Sequence, residues 1–273
     1  MDVKMVVTDL DGTLLRDDKS IDIKEYETFV KLGELGIIRV AATGRSLHSV
    51  RAVIPPNFPF DYIVFSTGSG IFDCKTQTIL HENALTESQI KYVMQLFQNE
   101  KLDYTVHFPI PENHCFHYHQ PNKNNVGFNN YLEFYNQYAH PITNDIPPFV
   151  KACQLLAIMD FDMERFTRIS GHLLDYKVIR TTSPIDHTMI WMEVFPKNVS
   201  KGDAVHWLCN RVNIDKSAVL AIGNDFNDID VLDYAGHARL VENGHPELHH
   251  RYPMVSSNNT NGVSKAIMAL IEM

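Results

Sequence analysis

The chain is short of cysteine, of positive charge and of long apolar runs. Its 273 residues include four cysteines, Cys74, Cys115, Cys153 and Cys209. They stand far apart with no C-x-x-C pair, which excludes the spacing of a zinc site or a disulfide scaffold and reads as reduced cytosolic thiols. The 24 Lys and Arg are outnumbered by 33 Asp and Glu, a formal net charge of −9 with His neutral. Polyanion binding rests on clustered cations, so nucleic acid is not expected as the main partner. No run approaches the roughly 18 apolar residues that a membrane-spanning helix needs. The N-terminal stretch MDVKMVVTDLDGTLL breaks its apolar residues with Asp2, Lys4, Asp9 and Asp11, and it lacks the basic, apolar and small-residue succession of a signal peptide. A cytoplasmic protein with no membrane partner is the expectation. Internal repeats and low-complexity tracts are lacking too.

What is present is ordinary globular usage, 44% hydrophobic and 21% charged, enough to bury a sizeable core. At roughly 150 residues per domain, the length suggests two domains. Met5 to Thr8 is a short buried-strand pattern that ends in a turn at Asp9 to Thr13. Apolar residues near a 3.6 period predict a helix from Ile23 to Leu35, closed by Gly36, and a second strand runs from Ile37 to Ala42. Strand, helix, strand predicts a parallel sheet. A helix over Ser46 to Val53, a strand over Tyr62 to Ser66 and a hairpin with arms Ile71 to Asp73 and Thr78 to Leu80 follow.

The middle of the chain reads differently. Thr86 to Gln89 fits a capping box for a helix reaching Glu100, and Tyr104 to Phe108 and Cys115 to His119 alternate like strands with an exposed face. Gln154 to Phe161 and Lys177 to Thr182 read as strands, Met163 to Leu174 as a helix, and Pro121 to Val126 and Pro141 to Pro148 as loops. Mixed strands and helices without strict alternation predict a small α+β domain over residues 83–187, inserted into an α/β domain formed by residues 1–82 and 188–273. The βα rhythm resumes with a strand over Met189 to Val194, a helix over Ser200 to Val212, a strand over Ala218 to Ile222, a helix over Asn227 to Tyr234, a strand over Ala238 to Val241 and a last helix over Val263 to Glu272.

Four constellations carry chemistry. In Asp9-Leu10-Asp11-Gly12-Thr13 two carboxylates stand two residues apart just beyond a strand, so extended geometry points them to one side. Carboxylates forced together split their pKa values, one staying charged as nucleophile or metal ligand while the other carries a proton. Turn formation is the plain alternative for an Asp-Gly pair, but the placement after the first strand favours chemistry. In Thr43-Gly44-Arg45 a hydroxyl and main-chain N–H groups suit a phosphate, and Arg45 suits either the same anion or a carboxylate. Lys201, in Ser200-Lys201-Gly202-Asp203, opens a helix against the dipole, which makes sense if it serves an anionic centre. Gly223-Asn224-Asp225-Phe226-Asn227-Asp228 gathers oxygen donors of the kind Mg²⁺ selects, with an Asx-rich cap as the plain alternative.

Together with Leu14 and Ala42, these segments resemble the four ordered motifs of the haloacid dehalogenase superfamily, and their spacing is similar to its Cof-type phosphatase branch with a type IIB cap between the second and third motifs. Asn243-Gly244-His245-Pro246-Glu247 and Asn261-Gly262-Val263 resemble that branch too. The resemblance implies a Rossmann-like parallel-sheet core with an inserted α+β cap domain, and a Mg²⁺-dependent phosphatase working through a phosphoaspartyl intermediate. It implies Asp9 as nucleophile, Asp11 as acid and base, Thr43, Gly44, Lys201 and Asn227 as phosphate-binding residues, and Asp9, Asp11 through its carbonyl, Asn224 and Asp228 around the metal, with Asp228 in an outer position. The expected substrate is a small phosphorylated metabolite, with sugar phosphates as a candidate class, handled by a monomer or small homo-oligomer.

Two departures stand out. Asn224 occupies the place of the family's first Asp in Gly-Asp-x-x-Asn-Asp, with Asp225 next to it, and Ser66-Thr67-Gly68-Ser69 stands where the branch reads Asn-Gly-Ala. A phosphomutase and a non-catalytic phospho-ligand binding protein are the competing readings. His107, His114, His117 and His119 read as partly buried or surface strand residues rather than a metal cluster, and Tyr131, Phe134, Tyr135 and Tyr138, at helical spacing, as core or interface.

Overall fold

A computed structural model describes residues 3–143, 149–182 and 189–271. It divides into two compact units, one of Met1–Glu82 with Ser200–Met273, the other of Asn83–Val199. In chain order the first stretch contains β1 (Met5–Thr8), α1 (Ile23–Glu34), β2 (Ile38–Ala42), α2 (Leu47–Val53), β3 (Tyr62–Phe65), β4 (Gly70–Asp73) and β5 (Thr78–Glu82). The second unit contains β6 (Leu85–Thr86), α3 (Glu87–Asn99), β7 (Asp103–His107), β8 (Phe116–His119), α4 (Val126–Phe134), β9 (Ala139–Pro141), β10 (Lys151–Ala152), β11 (Leu155–Asp160), α5 (Met163–Ser170), β12 (Tyr176–Thr182) and β13 (Met189–Pro196). The first unit then resumes with α6 (Lys201–Val212), β14 (Val219–Gly223), α7 (Ile229–Tyr234), β15 (His237–Val241), β16 (Met254–Val255) and α8 (Gly262–Met268). Residues 144–148 of the expected Pro141 to Pro148 loop, the expected domain boundary at 187–188 and the expected last helical residue, Glu272, lie outside the described residues.

The first unit is built on an eight-stranded sheet in the order β16-β15-β14-β1-β2-β3-β4-β5. Pairing is parallel from β16 to β3 and antiparallel through β4 and β5. Strands β1 and β14 are buried at every residue, as their unbroken apolar runs require once helices cover both faces. Met5 and Val7 join Val40, Ala42, Val219 and Ala221 beneath α6 and α7, where Val205, Leu208, Val231 and Leu232 complete the layer. On the other face α1 and α8 pack together. The buried Glu25 carboxylate accepts from the Ser264 N–H at 2.8 Å and from its hydroxyl at 2.5 Å. Helix α1 begins where the Asp22 side chain accepts from the Lys24 N–H, and the chain turns out of it at Gly36, whose φ of 71° favours glycine.

The second unit carries a six-stranded sheet, β12-β13-β11-β7-β8-β9, and a two-stranded ribbon of β10 and β6. Two expectations are corrected here. Strand β13 does not return the chain to the first unit; it pairs antiparallel with both β11 and β12. Its apolar run shows burial without saying in which sheet, and the return comes only at Ser200. Strand β7 has no exposed face: all five residues are buried, Tyr104 and Val106 in the cluster with Ile90, Val93 and Phe97 of α3, and His107 against Tyr131 of α4. Of the helically spaced aromatics, Tyr131 belongs to the buried cluster with Phe116, Phe128 and Trp191, while Phe134 is 70% exposed. The capping box at Thr86 and Gln89 forms as the sequence predicts. Among the described residues, no helix is long and apolar enough to cross a membrane.

After β3 the chain makes a left-handed turn through Ser66, Thr67 and Gly68, with φ of 49°, 57° and 102°. A Cβ at Gly68 would stand 2.1 Å from the main-chain oxygen of Ser200. Gly68→Ala is therefore expected to destabilise the chain by about 2–4 kcal/mol, from backbone strain plus overpacking, read as a lower urea midpoint with unchanged slope.

Candidate active site

Strands β14, β1 and β2 lie side by side and run parallel, so their carboxyl ends send three loops to one edge of the sheet. Later strands extend the sheet beyond β14 while β2 and β3 extend it on the other side. Such a reversal of strand order is where open α/β sheets bind ligands. Asp9 is the first residue beyond β1, Thr43 and Gly44 follow β2, and Asn224 to Asp228 follow β14. Lys201 is the first residue of α6, which Ser200 caps by accepting from the Asp203 N–H at 3.0 Å.

The centre of the site is a buried charge triad. The Lys201 ammonium donates to Asp9 Oδ1 and to Asp228 Oδ1, each at 2.7 Å. Its side chain is 0% exposed, against 7% for Asp9 and 1% for Asp228. Asp228 Oδ2 accepts from the N–H groups of Asn224 at 2.8 Å and Asp225 at 3.1 Å, so that carboxylate braces its own loop as well as the lysine. Burial is the strongest influence on Asp9 and raises its carboxyl; Lys201 opposes this, Asp228 reinforces it, and the result is a pKa pushed up to about 7. For Lys201 burial disfavours the ammonium, but Asp228 and Asp9 outweigh it and hold the group above its ordinary value. The lysine that seemed misplaced at a helix start thus answers two carboxylates.

Asp11 has different partners. Arg45 Nε donates to its Oδ2 at 2.6 Å, Arg45 Nη2 to its Oδ1 at 2.7 Å, and Lys19 Nζ to its Oδ1 at 3.0 Å. Burial pushes this carboxyl up, but Arg45 and Lys19 more than offset it and hold Asp11 below the ordinary carboxylate range. The expectation that the two acids titrate mainly against each other is corrected: different cations face them, and Asp11 is the smallest of the named influences on Asp9.

The remaining expected residues fall around these groups. Thr43 is buried, and its hydroxyl accepts from the Arg45 N–H at 3.1 Å. Asn227 Oδ1 lies 3.5 Å from Lys201 Nζ, and Asn227 Nδ2 would stand 3.6 Å from a Cβ at Gly44. Asn224 Nδ2 would stand 2.6 Å from a Cβ at Gly12, so this amide lies against the Asp11-Gly12 turn. Asp225 instead caps the turn after it, accepting from the Phe226 N–H at 2.8 Å. Asp9, Asp11, Asn224 and Asp228 offer oxygen donors, the type that suits a hard divalent cation.

Sequence reasoning missed the supports. Lys19 reaches Asp11 from a turn at φ 66°, which no local pattern announces. Asn243 Nδ2 donates to the Gly12 carbonyl at 2.7 Å and its Oδ1 accepts from the Asn258 N–H at 2.9 Å, so the late Asn-Gly segment steadies the first loop. His107 is buried, with Nδ1 3.0 Å from the Asn113 carbonyl, and burial pushes its pKa down to about 4.

Residues 6–267 match the family model for haloacid dehalogenase-like hydrolases. The chain belongs to that family. A relative from Streptococcus pyogenes, named for a presumed phosphatase activity, is 26% identical over 277 residues, covering 98% of each chain. The 5-amino-6-(5-phospho-D-ribitylamino)uracil phosphatase YwtE of Bacillus subtilis is 23% identical over 287 residues, again covering 98% of each. A solved haloacid dehalogenase subclass IIB sugar phosphatase superposes with a TM-score of 0.76 over 98% of each chain, at 15% identity, a likeness of fold alone.

The triad makes two substitutions in this hydrolase opposite in sign. Lys201→Met leaves two buried carboxylates without their cation and is expected to cost about 3–5 kcal/mol. Asp9→Asn leaves a neutral Lys201–Asp228 pair and is expected to raise the stability of the metal-free chain. Because the folded pKa of Asp9, about 7, lies above its ordinary 3.8, wild-type stability falls as pH rises between those values. The Asn variant's advantage is therefore larger at pH 8 than at pH 4, which urea titrations at the two pH values would measure.

Proposed function

We propose that the chain is a Mg²⁺-dependent phosphatase for a small phosphorylated metabolite, with sugar phosphates as the first class to test. The observation that carries this reading is the buried Asp9–Lys201–Asp228 triad at the sheet edge, beside the Thr43-Gly44 turn. In it, Asp9 attacks phosphorus in line, the bond to the leaving oxygen breaks, and Asp11 supplies that oxygen's proton. Water then attacks the phosphoaspartate and yields its proton to Asp11, releasing inorganic phosphate and restoring Asp9. Lys201, Thr43, the Gly44 N–H and Asn227 hold the phosphoryl oxygens, where positioning and charge supply most of the catalysis.

The all-oxygen donor set fits Mg²⁺, with Asp9, the Asp11 carbonyl and Asn224 as direct holders and Asp228, engaged by Lys201 and two N–H groups, in an outer place. When bound, the ion supplies positive charge that keeps Asp9 ionised and neutralises the phosphoryl group. Asn224 is preferred to Asp225 because the latter is committed to its cap. Arg45 holds Asp11 as a carboxylate, the form of the base; to act as the acid, Asp11 turns away from the guanidinium and takes up a proton. The unit Asn83–Val199 is read as the cap domain of the branch. Sugar phosphates are supported by the solved neighbour of that name and phosphorylated metabolites more broadly by the B. subtilis relative.

Wild type should release phosphate from an aryl phosphate and from members of a sugar phosphate panel only with Mg²⁺, and Asp9→Asn should lose about 10³-fold or more in kcat. No release by folded wild type at millimolar Mg²⁺ overturns the proposal. Asn224→Asp adds a charge to the donor set, so half-maximal activity should need about tenfold less Mg²⁺, as read from a metal titration of the rate.

A further inference from the structure

The left-handed turn after β3 contains a hydroxyl that the mechanism above does not use. Thr67 is fully buried at φ 57°, a conformation in which a β-branched residue is a rare outlier. The turn is pinned to the phosphate loop by main-chain bonds: the Ser66 N–H donates to the Arg45 carbonyl at 2.8 Å and the Thr67 N–H to the Thr43 carbonyl at 3.0 Å. Thr67 Oγ1 has no hydrogen-bond partner among the described residues. It would stand 3.6 Å from a Cβ at Gly44, the same distance as Asn227 Nδ2 from that point.

A buried hydroxyl without a partner is unfavourable, and the fold has no use for this one. Glycine or asparagine would take the backbone conformation with less strain, and valine would fill the same volume with no polar atom to satisfy. Threonine offers what those residues do not, a hydroxyl donor on a short rigid stem near Gly44 and the Asn227 amide. Placed on a strained turn that two main-chain bonds hold in register, such a donor is fixed before any ligand arrives.

We infer that the Thr67 hydroxyl, set beside Gly44 and Asn227, is a further donor to an oxygen of the bound phosphoryl group. The inference rests on the phosphatase reading and adds to it a contact supplied by the segment Ser66-Thr67-Gly68-Ser69, where this chain departs from Asn-Gly-Ala. On binding, the hydroxyl gains the acceptor it lacks in the free chain. Function and stability therefore pull in opposite directions at this one atom.

The test uses the full chain with Thr67→Val, which keeps the shape and removes the hydroxyl, and Thr67→Ser, which keeps the hydroxyl. Inorganic phosphate with Mg²⁺ is the calorimetric probe, and ligand-free thermal unfolding is the second readout. Thr67→Val should weaken phosphate about tenfold and raise KM similarly, with Tm equal to or above wild type; Thr67→Ser should stay within about threefold of wild type. Unchanged phosphate affinity in Thr67→Val overturns the inference. So does weakened affinity with a lowered Tm that Thr67→Ser shares, the pattern of a merely structural role. If wild type neither binds nor releases phosphate, the phosphatase reading fails and takes this one with it; if wild type does both and Thr67→Val matches it, only the inference fails.

Discussion

Everything at the sheet edge is organised around one ammonium group with no access to water. Lys201 can be buried only because two carboxylates meet it, and those carboxylates can be buried only because it is there. Asp9 comes from the end of β1, Asp228 from the loop after β14, and Lys201 from the start of α6. The ion pairs therefore fix the relative positions of three elements as well as three charges. The fold supplies the burial, and burial in turn makes the charges matter, since their interactions strengthen as water is removed.

The arrangement of cations sorts the two acids of the first loop. Asp9 shares a lysine with a second carboxylate and is pushed towards its neutral form; Asp11 is met by a guanidinium and an ammonium and is kept ionised. Two residues with the same side chain, separated by one leucine, are thus set apart by what faces them and not by their distance from each other. The late segment around Asn243 and Asn258 adds a mechanical counterpart, holding the Gly12 and Leu15 carbonyls and so the shape of the loop that carries both acids.

Much of this was legible in the amino-acid order. Short apolar runs ending in Asp, Thr or Asn predicted β1, β2 and β14 and the loops beyond them, and the oddity of a lysine at a helix start pointed to an anionic partner before any partner was visible. Resemblance to an ordered set of motifs brought Asp9, Lys201 and Asp228 into one site; local pattern alone could not, because their contacts span up to 192 residues. What stayed hidden was pairing. Strand β13 reads as a buried strand in any sheet, and only its neighbours β11 and β12 place it in the second unit. Lys19 and Thr67 act from left-handed turns made by residues that seldom adopt them, so no propensity betrays their direction.

The discontinuity of the first unit has a consequence for how the protein is made. Strand β1 needs β14 along one side, and Asp9 needs Lys201, which the ribosome adds 192 residues later. At about 5–20 residues per second that interval is about 10–40 s, during which the inserted unit can fold on its own hydrophobic core while the central strand of the other waits with an open edge. The Asp9 loop remains in water until the chain that will enclose it has been synthesised. A nascent chain stalled before residue 201 would therefore present one open edge of a largely apolar strand, Met5–Thr8, as a site for chaperones or aggregation.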